Sequence, residues 1–287
     1  MRLITNILFP VDFSPSCIAM APYVKRAATM LRAKVALIHV FDPASYNGFE
    51  LYLRRASEIA EDHQSVGRDR LDSFLQDEFP ASDSARILVA GDAATQIAQV
   101  AKSGFDLIIM PTHAGTFRQM LLGSTTAKVL NDADCPVFTS RHAQTIAPRP
   151  LEHREWLCTV DLGEDSERVL GYAHQAAAEA QSNLHLIHAI PSTDPHLPIQ
   201  LDLEEEVQSE QRQQARQRVR ELQQRVGSQA QVQIVVGPIK EALLEAARRF
   251  DADALIVGRS PQSGADGRMR DLSYAMVRDS PFPVLSI

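Results

Sequence analysis

The residues of this chain best suited to chemistry stand in short segments that close apolar runs or open a helical one. Gly123-Ser124-Thr125-Thr126 comes immediately before a helical segment, Ala127-Lys128-Val129-Leu130. A glycine followed by hydroxyl residues at a helix start can aim unpaired backbone N–H groups at an anion with the helix dipole behind them. Phosphate is the natural guest: Gly123 permits close backbone approach, and the hydroxyls of Ser124, Thr125 and Thr126 can add hydrogen bonds. Taken alone, the same residues also describe an ordinary helix cap by Ser124. Pro111-Thr112-His113-Ala114-Gly115 closes the preceding apolar run, and an imidazole such as His113 beside a phosphate is a hydrogen-bond donor. Pro10-Val11-Asp12-Phe13-Ser14 and His39-Val40-Phe41 close two more.

Other chemistry finds little support. His39 and His188 end buried runs, where a histidine usually satisfies backbone groups, and no second ligand stands at zinc spacing. Cys17, Cys135 and Cys158 are odd in number, lack CxxC spacing and sit among apolar residues, as reduced thiols of a cytoplasmic protein do. No Walker GKS, no Ser/His/Asp ordering and no glycosidase-like carboxylate pair is present, so a dedicated enzyme is not indicated. A formal charge of -7 and a pI near 5.7 argue against nucleic acid or an anionic membrane as partner. The first residues reach Pro10 and Asp12 before a signal-peptide core could form, and no run approaches a membrane span.

The elements that must position these residues alternate. Apolar runs at 7–11, 35–41, 85–90, 107–111 and 136–140 are of strand length and rich in Val and Ile, without strict polar alternation, which predicts strands buried on both faces. Segments 14–31 and 93–103 carry apolar residues at helical spacing. Strand and helix in alternation require crossover connections, hence a mainly parallel, doubly wound sheet with helices on both faces. Ligands of such sheets sit in the crevice at the strand C-termini, where the loops above lie. The polar segment 201–226 reads as a solvated helix with a thin apolar stripe.

The pattern occurs twice. Val11-Asp12 falls on Val160-Asp161, Ile38-His39 on Ile187-His188 and Gly91 on Gly237. From Met110 onward the halves align without a gap, bringing Cys135-Pro136-Val137 onto Phe282-Pro283-Val284. The chain of 287 residues divides into a domain over 1–143, a linker over 144–152 and a domain over 153–287.

Pro10-Val11-Asp12-Phe13-Ser14, His39-Val40, the loop from Pro111 to Ser124 and Cys135-Pro136-Val137 together resemble the universal stress protein family. The resemblance implies two tandem Rossmann-like domains of the adenine nucleotide alpha hydrolase-like type, each with a five-stranded sheet. It implies ATP or AMP as ligand, with Mg as companion ion, in a stress-response regulatory protein whose ATPase activity, if any, is slow and incidental. By the resemblance, Asp12 and the backbone at Val40 meet adenine and ribose edges, and Gly123 and Ser124 hold phosphates. The predicted site is Pro10, Val11, Asp12, Ser14, Val40, Pro111, His113, Gly115, Gly123, Ser124 and Thr125.

Departures from the family pattern matter. Pro111 and Ala114 stand where the family has glycines, so the cradle loses at least one donor, and Gly115 compensates in part. In the second repeat Arg270 falls on Gly123 and Asp271 on Ser124. A carboxylate there repels an anion, so triphosphate binding is expected to be lost and this half to serve in docking; Arg259, Arg268 and Arg270 leave some other anion open. The alternative for the whole chain is an interaction module with drifted pockets. Closing strands at sheet edges suggest an intramolecular pseudo-dimer, and nothing in the sequence fixes whether a homodimer forms as well.

Overall fold

The computed structural model describes residues 2–42, 56–112, 122–191, 201–259 and 267–287, with the side chains of 56–63, 201–207 and 267–271 excepted. The chain divides into two compact units, Met1–Pro148 and Arg149–Ile287.

In the first unit, β1 (Asn6–Pro10), β2 (Lys34–Phe41), β3 (Ala85–Ala90), β4 (Leu107–Pro111) and β5 (Val137–Ser140) alternate with α1 (Pro15–Leu31), α2 (Ala56–Ser73), α3 (Ala93–Ala101) and α4 (Ser124–Asp132). The strand order is β3-β2-β1-β4-β5, with parallel pairing throughout. The second unit repeats this with β6 (Glu155–Thr159), β7 (Asn183–Ile190), β8 (Gln231–Val236), β9 (Ala254–Val257) and β10 (Val284–Ser286), in the order β10-β9-β6-β7-β8, again parallel. Its helices are α5 (Ser166–Ala180), α6 (Leu201–Val226), α7 (Ile239–Arg249) and α8 (Gly267–Asp279). The doubly wound α/β class expected from alternating patterns is the one observed.

Burial explains the lack of polar alternation. Ile7, Leu8 and Phe9 are successive and wholly buried, as are Ile108 and Ile109, because helices cover both faces of these central strands. On α6 the buried residues Ala215, Val219 and Leu222 form the thin stripe read from sequence. Helix starts follow capping chemistry: the Ser14 side chain accepts the N–H of Cys17 with Pro15 in the first turn, and Asp92 accepts that of Thr95. An aspartate clamps the central strands in both units. Asp106 accepts the N–H groups of Thr5 and Asn6 at 2.8 and 3.0 Å, and Asp253 accepts that of Glu155 at 2.9 Å.

The segment read as a linker is tied down at both ends. Gln144 donates to Ser16 and Ile146 accepts from Tyr23 in the first unit; Arg149 pairs with Asp251 in the second. Among the described residues, no helix is long and apolar enough to cross a membrane.

Candidate functional site

In each unit β1 and β4, or β6 and β9, diverge past the sheet, and the crevice above them opens into a cavity. The first cavity holds about 400 Å³, within the range that accepts drug-sized ligands. Eight of the predicted residues line it: Pro10, Val11, Asp12, Val40, Pro111, Gly123, Ser124 and Thr125. Ser14 stands behind the wall, donating its N–H to Asp12 Oδ1 at 3.0 Å. His113 and Gly115 lie outside the described residues. Sequence reading missed Cys17, Ile38, Ala93, Ile97, Met110 and Leu122, apolar residues that also line the cavity. Their helical and strand periodicity marked them only as core, and no local signal separates a core face from a pocket wall.

Asp12 is held in an Asx turn. Besides Ser14, its Oδ1 accepts the thiol of Cys17 at 3.0 Å, while the intervening Phe13 adopts φ 62°. That left-handed geometry is strained for a phenylalanine, and packing offsets it: Phe13 lies 4.3 Å from His39 and 5.2 Å from Phe74 between ring centroids, with the Arg70 guanidinium 4.4 Å above it. Burial pushes the Asp12 carboxyl up, and the hydrogen bonds from Cys17 and Ser14 more than offset this, holding it below the usual carboxylate range. Asp12 therefore stays ionised at neutral pH and keeps Oδ2 as an acceptor. The same contact, after burial, helps raise the Cys17 thiol to about 12.

The β2 end leaves an open amide. Backbone groups of Ile38 face β1, since its carbonyl accepts the N–H of Val11 at 2.8 Å. Those of Phe41 face β3, its carbonyl accepting the N–H of Gly91 at 2.9 Å. By the alternation of a strand, Val40 faces the space past the end of β1. The next rung would join its N–H to the carbonyl of Val11, but that carbonyl accepts instead from His39 Nδ1 at 2.8 Å. Val40 thus offers an adjacent donor and acceptor to the cavity. His39 and His188 satisfy backbone carbonyls, as expected, the latter that of Val160 at 2.7 Å.

Helix α4 starts at the opposite wall. Its N-cap is Gly123, with φ -61° and ψ 142° and no side-chain cap bond, so Ser124 does not cap the helix as the plainer sequence reading had it. The first intrahelical bond runs from Ala127 to Gly123, which leaves the N–H groups of Ser124, Thr125 and Thr126 without helical partners. Two sequence expectations need correction. The Gly123 N–H is occupied by the carbonyl of Thr112 at 2.9 Å, and the Thr126 hydroxyl donates to the carbonyl of Pro111 at 3.1 Å. Both donors are used within the protein and are not available to a ligand. Among the described residues, no group of three or more His, Cys, Asp or Glu stands close enough to hold a metal ion.

The second cavity, about 290 Å³, repeats this frame with changed chemistry. Asp161 Oδ1 accepts from the Gly163 N–H and the Ser166 hydroxyl, Ser166 standing where Cys17 does. Ser273 Oγ donates to Gly258 O at 2.6 Å, the counterpart of Thr126 and Pro111. Helix α8, however, begins at Gly267, about one turn earlier than the Ser124 equivalence requires. Arg270 and Asp271 therefore lie within the helix, and the side chains of Arg268, Arg270 and Asp271 are outside the described residues.

Comparison with known proteins gives the family. The model of the universal stress protein family matches residues 4–141 and again 154–287. A universal stress protein of Mycobacterium tuberculosis is 23% identical over 66% of this chain, and the match spans 65% of that relative's length. One of Thermus aquaticus is 31% identical over 47% of this chain and 98% of its own. The crystal structure of a universal stress protein from Archaeoglobus fulgidus superposes with a TM-score of 0.62 at 19% identity, covering 98% of this chain and 95% of the other. With both units matched, this chain belongs to the universal stress protein family.

Proposed function

We propose that the first cavity binds an adenine nucleotide, ATP or AMP, and that the chain is a nucleotide-binding regulatory protein of the cytoplasmic stress response rather than an enzyme. The observation that carries this reading is the pairing of two open backbone surfaces across one cavity. On one side Val40 presents a donor and an acceptor, as the edge of adenine requires, with Asp12 beside it as acceptor for a ribose hydroxyl or an amine. On the other, an uncapped helix presents the N–H groups of Ser124, Thr125 and Thr126 with the Ser124 and Thr125 hydroxyls, the setting in which a phosphate is stabilised.

Titration of the full chain with ATP, ADP and AMP in a calorimeter tests the proposal. Binding at one site per chain, tighter for the phosphorylated ligands than for adenosine, is the expected result. Affinities no better than about millimolar, worth only some 4 kcal/mol, favour the interaction-module reading instead.

A further inference from the structure

The second cavity is not a weakened copy of the first. Among the described residues it keeps the backbone and carboxylate features that would meet a nucleoside and changes the helix start that would meet a phosphate. Ile187 accepts the N–H of Val160 at 2.9 Å and Ile190 accepts that of Gly237 at 3.0 Å, so Ala189 faces the space past the end of β6 as Val40 does past β1. His188 again takes the carbonyl that would have closed the rung, and Asp161 keeps Oδ2 as an acceptor. The helix start on the phosphate side differs. Because α8 starts at Gly267, the N–H groups at Leu272 and Ser273 lie past the first turn and are used by helical carbonyls. Leu272 lines the cavity where Thr125 does in the first unit, and Ile239 stands for Ala93, which narrows the space. Asp161 and Asp165 line the cavity with Arg259, and Asp165 pairs with Arg168 at 3.5 Å, so the described residues offer no excess of positive charge to a polyanion.

We propose that the second cavity binds an uncharged, phosphate-free nucleoside or a purine-like heterocycle, so that one chain carries two sites of different ligand chemistry. The proposal rests on the reading of the first site insofar as Ala189 is taken to act as Val40 does.

The test uses adenosine as probe on the full chain, with and without saturating ATP, beside an Ile239→Trp variant. Ile239 is 36% exposed at the start of α7, so the larger ring enters the cavity at little expense to the core. One equivalent of adenosine should still bind when ATP is saturating, and Ile239→Trp should weaken that binding at least tenfold while leaving ATP binding intact. Full displacement of adenosine by ATP, two equivalents of ATP per chain, or an ATP-resistant adenosine site indifferent to Ile239→Trp would each overturn the proposal. If ATP binds nowhere but adenosine binds at a site sensitive to Ile239→Trp, the first-site reading fails and this one stands.

Discussion

His39 Nδ1 donates to the carbonyl oxygen of Val11 at 2.8 Å and thereby keeps the Val40 N–H out of the sheet. A carbonyl only accepts, so Nδ1 carries the proton. Replacing His39 with leucine frees the Val11 carbonyl to close the rung with Val40. Nucleotide affinity should fall about five- to tenfold, the worth of one hydrogen bond. His39→Asn, whose amide nitrogen stands near the place of Nδ1, should restore most of it. Calorimetric affinities unchanged in the leucine variant would remove Val40 from the recognition surface.

Gly123→Asp separates binding from stability. The backbone at Gly123 lies in the extended region, which any residue adopts, so aspartate brings no backbone strain. As an N-cap it satisfies the donors that a phosphate would otherwise take and adds a like charge. ATP affinity should drop about 100-fold, some 2.7 kcal/mol, while thermal unfolding shifts slightly upward through better capping, by about 0.5 kcal/mol. Retained affinity would place the ligand elsewhere.

Thiol reactivity should single out Cys135. Burial raises both Cys17 and Cys158 to about 12, with the Asp12 charge a further cause at Cys17, whereas Cys135 is half-buried. At pH 8 only about one molecule in ten thousand has either buried thiol ionised, and the thiolate is the reacting form. A chromogenic disulfide reagent should titrate one thiol rapidly in the native protein and three after denaturation. Cys17→Ser, which copies Ser166, should preserve the Asp12 contact and fold normally.

Low pH should weaken the contact between α7 and α8. Hydrogen bonding from Arg278, reinforced by Lys240 of α7, holds the Asp279 carboxyl at about 2, below its usual 3.8. A depressed carboxylate pKa stabilises the fold above the unfolded value, and that stability is lost as pH falls through the folded one. Asp279→Asn should therefore be less stable than wild type at pH 7, by about 1 kcal/mol for a partly exposed network. The two should converge in urea melts between about pH 4 and pH 2; a gap that persists below pH 2 would assign the effect to packing.

The sequence by itself determined the duplication, the parallel α/β class and most of the first pocket's wall, because strands buried on both faces and the glycine-hydroxyl run leave local signatures. Val11-Asp12 and Gly123-Ser124 lie more than a hundred residues apart, yet the first follows strand β1 and the second opens the helix after its neighbour β4, and the topology of such sheets brings those places together. Only the tertiary structure decided which donors stay open. That the Gly123 N–H is used by Thr112, that the Val11 carbonyl turns to His39, and that α8 gains a turn over the Asp271 position all depend on partners or helix limits that spacing does not encode. Hydrogen bonds are exclusive at short range, so a residue's type says what it can donate, and only its neighbours say whether the donor is free.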